Sequence, residues 1–273
     1  TVPTQVPSTT PEPTLVPTTT LMPTPAMLTS ALADNAHIEL AADITLSSTI
    51  DINGVTGVVV DGQLFKVDGN NAVCCFKIRN GAEVTFVNLT ITNGYRNEDG
   101  GGGLKISESS IVALTSKRRR GHFCEPHHHQ RQRQFWGWSI YLRKHCRAHV
   151  VCTISNNEAF GDGGGFYIDG SCTVALTSCT ISNNEAIYWS GGGLFVISST
   201  ATLTSCTISN NEAIMFGGGL SISGSSTVAL TSCTISNNEA FGDGGGFYID
   251  GSCTVALTSC TISNKITTEA GFI

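Results

Sequence analysis

The stretch 152–178, CTISNNEAFGDGGGFYIDGSCTVALTS, returns without a change at 233–259. Cys152, Cys179, Cys206, Cys233 and Cys260 each open the phrase CTISN, which sets a period of 27 residues. Unchanged repetition at such a period belongs to solenoids, propellers or arrays. A propeller blade takes about 40 residues for its four strands, whereas 27 residues suit one turn of a coil with three short strands and three bends. Apolar residues alternate in three pairs per unit: Phe166 with Ile168, Val174 with Leu176, and Cys179 with Ile181. Alternation of that kind marks a strand with one buried face. The repeat therefore predicts an all-β parallel β-helix solenoid of about 27 residues per coil, with three short strands in each coil.

Stacking gives the remaining repeated residues their roles, because equivalent positions in successive coils lie about 4.8 Å apart. Ile154, Ile181, Ile208 and Ile235 form an interior aliphatic column, while Asn157, Asn184, Asn211 and Asn238 can pass amide hydrogen bonds from coil to coil at a bend. The triplets 163–165, 191–193, 217–219 and 244–246 are all glycine and mark a second bend. Upstream, HIEL, DITL, TIDI, VTGVVVDG and AEVTFVNLTITNG continue the two-residue alternation from Ala31, and no ten-residue segment has helical spacing.

TISNNEA followed by GGGL or GGGF resembles the repeat of polymorphic outer-membrane proteins, with its x-x-Asn and Gly-Gly-small-aliphatic motifs. More broadly the chain is similar to right-handed parallel β-helix proteins of the pectin-lyase-like group. The resemblance covers about residues 82–116 and 152–264, and VTGVVVDGQLFKVDGN resembles the first coils of that group. This sequence departs from the repeat by carrying Ile where Phe is usual, and a third Gly where Ala is common. The resemblance implies a right-handed coil and an extracellular or cell-surface location. It also brings polysaccharide lyases and hydrolases into consideration.

Two segments break the pattern. Residues 1–30 hold seven of the eight prolines and ten threonines, which predicts an extended linker or stalk before a β-helix over 31–273. Between Lys117 and His149 lie nine of the fifteen Lys and Arg residues and six of the seven His, beside the single acid Glu125. KRRR with QRQRQFWGW has the look of a nucleic-acid segment. Cys124, His127, His145, Cys146 and His149 have zinc-ligand chemistry. The genetic code gives a different reading. Shifted by one nucleotide, permissible codons for 128–150 spell TISDNDNFGGGLYISGSTVALTS, which is one missing repeat, nearly complete. The segment 117–151 is thus expected to be a frame-displaced or disrupted coil, with neither nucleic acid nor zinc as its partner; with the frame restored the helix is uninterrupted, and only if made as written is it split.

The regular body offers little asymmetric chemistry. Outside the basic segment its cations are Lys66, Lys77, Arg79, Arg96, Lys105 and Lys265, and a lyase needs a base beside its acids. Asp162 with Asp243, and Asp169 with Asp250, recur only every third coil, too far apart for a paired carboxylate site. The cysteine column reads as small buried thiols. Two sulfurs on one zinc lie at most about 4.6 Å apart, so a straight column cannot give one ion four ligands. Parallel Cβ atoms about 4.8 Å apart also exceed the usual disulfide separation. Cys74 and Cys75 point to opposite faces, so at most one joins the core. Glu158, Glu185, Glu212 and Glu239 repel by about 0.9 kcal/mol per neighbouring pair in water and must splay outward or bind calcium.

No catalytic, cofactor or metal residue is assigned, and calcium is the one ion considered. No apolar run approaches the roughly 18 residues of a spanning helix, and the opening TVPTQVPSTT has neither Met nor a signal-peptide order, as in a mature or partial product. The chain also stops at EAGFI inside a repeat, which leads us to expect a missing C-terminal cap. Asn88-Leu-Thr is a glycosylation sequon in an expected strand context. The reading is a non-catalytic secreted or surface β-helix for adhesion, recognition or structure, with glycans or cell-surface proteins as partners. The alternative is a polysaccharide-binding or polysaccharide-degrading protein.

Overall fold

The computed structural model describes residues 18–21, 24–96, 100–115 and 152–263. The chain winds into a parallel β-helix whose strands fall into four sheets. Thr173–Thr177 and its equivalents build a nine-stranded sheet, Thr180–Ser182 and its equivalents an eight-stranded one, and Phe166–Ile168 and its equivalents a seven-stranded one. These are the three strands per coil that the repeat predicts. A fourth ladder was not expected: Glu158–Ala159, Glu185–Ala186, Glu212–Ala213 and Glu239–Ala240 pair in register, extended by Tyr95–Arg96. It forms because the two residues after the Asn bend straighten enough for their backbones to pair. Their alanines turn inward and are fully buried.

Identical residues lie on identical residues throughout. Ile154, Ile181, Ile208 and Ile235 stack at 0% exposure, continuing from Ile91. The bends show why Asn and Ser recur. Asn156, Asn183, Asn210 and Asn237 turn the chain at φ between 54 and 55°, a left-handed conformation that Asn tolerates better than most residues. The Asn that follows each of them turns inward. Its amide then carries the predicted ladder, with Asn157 Nδ2 donating to Asn184 Oδ1 at 2.8 Å, Asn184 to Asn211 at 2.9 Å and Asn211 to Asn238 at 2.9 Å. The glycine bend is required by close approach. A Cβ at Gly192 would run into the Glu212 carbonyl of the next coil, so any side chain there forces two coils apart.

The N-terminal boundary differs from expectation. Within the segment expected to be an extended linker, Thr18–Leu21 pairs in register with His37–Leu40, and Pro25–Ala31 is a helix. Thr24 caps the helix by accepting from the Met27 N–H at 3.4 Å, and Pro25 occupies its first turn. Leu28, at 0% exposure, joins the core cluster of the first coils, so the helix covers the end of the solenoid. The solenoid's first elements therefore lie inside 1–30. At the other end the expected missing cap concerns 264–273, outside the described residues.

The coil also passes across the basic segment without a break. Ile111–Thr115 pairs on one side with Glu83–Val87 and on the other with Thr173–Thr177, while Thr153–Ser155 pairs with Thr90–Thr92 and Thr180–Ser182. These ladders bring Thr115 and Cys152, 37 positions apart, side by side: the Cys152 thiol donates to the Thr115 carbonyl at 3.1 Å. The same contact joins Cys179 to Thr177 at 3.5 Å within an uninterrupted coil. The helix is therefore not split, because the strands flanking the interruption are fixed by neighbours above and below. The displaced coil read in 117–151, with Cys124, His127, His145, Cys146 and His149, lies outside the described residues.

Candidate functional site

The cysteine column is continuous and dry. Cys152, Cys179, Cys206 and Cys233 are each at most 1% exposed, and all nine described cysteines are free thiols. Each Sγ sits between two carbonyls; Cys206 donates toward Leu176 O at 3.5 Å and Thr204 O at 3.4 Å. Hydrogen bonding along the sulfur column, with burial, holds Cys179 and Cys233 well above the ordinary thiol range, while the same bonds hold Cys206 and Cys152 below it, so burial and not charge state is what shields Cys206. Burial pushes Cys172 up to about 11. Cys75 joins the interior cluster, whereas Cys74 points the other way and is nonetheless buried, its thiol donating to the Phe76 carbonyl at 3.2 Å. Among the described residues no three His, Cys, Asp or Glu side chains converge as a metal ion requires.

Native alkylation with iodoacetamide, read after cleavage at glutamate, is expected to label the peptide 240–269, which holds the partly exposed Cys253 and Cys260. Peptides 186–212 and 213–239, which carry only Cys206 and only Cys233, are expected to stay unlabelled until denaturant is added. Labelling of 186–212 as fast as 240–269 would mean that the column is open to solvent.

The glutamate column faces outward, in register, with Glu185 and Glu212 exposed. Asn88 is not on a strand. It turns the chain between Glu83–Val87 and Thr90–Thr92 at φ 51°, and its 6% exposure leaves no room for a glycan.

A richer constellation lies on the corner between the Glu-Ala ladder and the sheet containing Phe166–Ile168. Here the coils differ most. After the invariant CTISNNEA come FGD at 160–162, IYWS at 187–190, IMF at 214–216 and FGD at 241–243. The outward positions of the adjoining sheet also vary, as Lys105, Tyr167, Phe195, Ser221 and Tyr248 in register. The flank is aromatic. Tyr95, Phe160 and Tyr188 follow one another at centroid distances of 5.9 and 5.2 Å, and Tyr188, Trp189 and Phe241 are each more than half exposed.

Within this flank Lys105, Gly161, Asp162, Tyr167, Asp169 and Trp189 line an open cleft of about 510 Å³. Tyr167 is clamped between coils: Phe195 stacks on it at 5.6 Å with an interplanar angle of 14°, and Lys105 Nζ lies 5.4 Å from its ring centroid. Asp162 Oδ1 accepts from the Ser190 N–H at 2.8 Å, and Asp169 Oδ1 accepts from the Gly170 N–H. Burial raises the Asp162 carboxyl above the ordinary range, with the Ser190 N–H working against it. Asp162 therefore keeps its proton to higher pH in the folded chain than in the unfolded one. Its ionisation above that range weakens the fold.

The cleft joins residues that spacing alone keeps apart. Asp162 and Asp169, paired in sequence with their distant copies Asp243 and Asp250, line one cleft within a single coil; Lys105 and Trp189 come from the coils on either side. A family model described as a right handed beta helix region matches residues 133–272, slightly more than half of the chain. Neither the curated proteins nor the solved structures include one that matches the chain.

Proposed function

The chain belongs to the right-handed β-helix family, and from that premise we propose that it is a non-catalytic recognition module, secreted or displayed at a cell surface on its Pro/Thr-rich N-terminal segment. One observation carries the reading. The coils share CTISNNEA, the glycine triplet and the strand ending LTS, and their most varied side chains gather at 160–162, 187–190, 214–216 and 241–243 and on the neighbouring outward positions, with a second variable bend at 169–172, 197–199, 223–226 and 250–253. Stacking keeps the inward residues apolar and fixes the Asn and Gly bends, so the exposed flank is where one coil can differ from the next without cost to the fold. Its exposed aromatics, Tyr188, Trp189 and Phe241, are the side chains that dominate binding surfaces. The likeness of the repeat to polymorphic outer-membrane proteins supports the surface location.

The rival reading, a polysaccharide-degrading enzyme, draws on the same cleft because Asp162 and Asp169 both line it. The two part on turnover. The full chain is to be probed on an array of glycans and matrix proteins beside a Tyr188→Ser/Trp189→Ser/Phe241→Ser variant and a control changed on the opposite, Thr-rich sheet, Thr173→Ser/Thr200→Ser/Thr227→Ser. The expected result is specific binding, weakened at least about tenfold by the aromatic variant alone. Equal binding by all three proteins would sink the recognition reading. New reducing ends or unsaturated product would replace it with the enzymatic one.

A further inference from the structure

Independently of the recognition reading, we infer that neighbouring sulfurs of the cysteine column form a two-coordinate site for a soft monovalent cation, copper(I), with Cys233 and Cys260 as the pair that takes it up.

The geometry of the column suits this ion and no commoner one. Strand pairing sets each sulfur about 4.8 Å above the last, and in the outermost step Thr261 N donates to Cys233 O at 2.9 Å. That spacing is too long for a disulfide, whose sulfurs bond about 2 Å apart. A straight line of sulfurs also offers zinc no tetrahedron. A soft cation held by two sulfurs in line needs them two metal–sulfur bonds apart, roughly 4.6 Å at the bond length of zinc. The remaining few tenths of an ångström are within reach of a small turn about χ1.

Charge and hydrogen bonding agree with it. As copper(I) enters, one S–H bond breaks and its proton leaves for solvent. The thiolate so formed gives one copper–sulfur bond and a lone pair of the remaining thiol gives the other; copper stays copper(I). The filled pair is neutral, as a dry interior requires. The S–H contacts given up are long. Cys233 donates toward Leu203 O and Thr231 O, and Cys260 toward Leu230 O and Thr258 O, all at 3.5 Å. The Thr231 and Thr258 carbonyls also accept from Ser205 N and Ser232 N at 2.8 Å, so neither is left unpaired.

Access picks out one pair. Cys152, Cys179, Cys206 and Cys233 are at most 1% exposed, whereas Cys260, on the last described coil, is partly exposed. A cation arriving from solvent meets Cys260 and finds Cys233 one step beneath it.

The same coil carries an internal control. At another corner Cys172, Ser199, Ser226 and Cys253 stack, with Thr200 N, Thr227 N and Thr254 N donating to the carbonyls of the first three at 2.9, 3.0 and 2.9 Å. Cys253 is partly exposed, as Cys260 is, but the group beneath it is the Ser226 hydroxyl, a poor ligand for a soft ion. The strand Thr254–Thr258 keeps Cys253 and Cys260 apart.

The test uses the full chain with Cys124→Ser and Cys146→Ser, so that the thiols of 117–151 hold no copper. Reduced and kept anaerobic, it is titrated with copper(I) against bicinchoninate, beside versions that also carry Cys253→Ser, Cys260→Ser or Cys233→Ser. The Cys253→Ser protein is expected to retain as much copper as the parent, and the other two about one equivalent less. X-ray absorption of the loaded Cys253→Ser protein should show copper between two sulfurs in line. In that protein Cys260 is the one cysteine of peptide 240–269, and copper should slow its alkylation by iodoacetamide at least about tenfold. In the Cys260→Ser protein, labelling of Cys253 should not respond to copper. Cys253→Ser and Cys260→Ser remove the same atom from partly exposed sites of one coil, so their melting curves should coincide, and copper lost from one alone is not lost folding.

No copper held by the parent against the chelator would overturn the inference, as would equal retention by the Cys260→Ser protein or a copper centre with three or more ligands. A loss from Cys253→Ser equal to that from Cys260→Ser would reduce the binding to that of any exposed thiol. None of these outcomes bears on the recognition reading.

Discussion

Asn211→Ala is expected to cost the solenoid about 3 to 5 kcal/mol, more than its lost volume alone would explain. Asn211 is 1% exposed and sits mid-ladder. Its Nδ2 donates to Asn238 Oδ1 at 2.9 Å and to Ile181 O at 3.1 Å, and its Oδ1 accepts from Asn184 N at 3.0 Å and Asn184 Nδ2 at 2.9 Å. Truncation to Ala removes all four and leaves the Asn184 backbone N–H buried without its acceptor. Each orphaned buried group costs about 1 to 3 kcal/mol. Asn211→Asp separates the polar chain from packing. It keeps the shape and the acceptor, but an ionised Asp cannot donate to Asn238 or Ile181, and its charge is buried.

Such an Asp has its pKa raised in the folded state. Its penalty is therefore full at neutral pH and falls away as pH drops through the folded value, where the protonated acid regains a donor. Urea unfolding followed by far-UV ellipticity at neutral and acid pH checks both variants. A loss under about 1 kcal/mol for Asn211→Ala, or an Asn211→Asp variant no better in acid, would show that the ladder is decoration on a fold held by its aliphatic columns.

The ladder was legible in the sequence because a period of 27 residues places Asn on Asn, and stacking needs no further information. The same holds for the isoleucine column and the glycine bends. Other features were hidden for physical reasons. The Glu-Ala ladder is two residues long, below the length at which alternation can be recognised. The capping helix spans seven residues and buries one large side chain, Leu28, so it has no periodic face, although Thr24-Pro25 is a proper helix start. The cleft was hidden by the interruption itself. Lys105 neighbours Tyr167 only because 82–115 stacks directly beneath 152–178, and the 61 positions from Ser109 to its partner Gly170 give no periodic sign of that contact. Trp189 carries no signal in the sequence, and only the stacking brings it to the cleft that the aspartates of the preceding coil line.

That stacking also fixes what removing 117–151 should do. The deletion joins Ser116 to Cys152 and creates LTSCTISNNEA, the sequence that crosses the same corner at Ser178-Cys179, Ser205-Cys206 and Ser232-Cys233. Those serines turn the corner at φ between 54 and 55°, and Ser116 would take the same role. The geometry is already in place, since Cys152 contacts Thr115 as Cys179 contacts Thr177, and Thr153 N donates to Leu89 O at 3.0 Å as Thr180 N does to Cys152 O at 2.9 Å. What the deletion removes is the entropy of closing a loop of about 35 residues, roughly 3 kcal/mol, which corresponds to a rise of about 6 to 12 °C in melting temperature for a chain of this size. It also removes nine of the fifteen cationic side chains, six of the seven histidines, Cys124 and Cys146, so any zinc or nucleic-acid binding must vanish with it. A deletion variant that melts lower than the parent would mean that the segment contributes contacts the coils depend on. One that melts higher makes the interruption a passenger, and the solenoid complete without it.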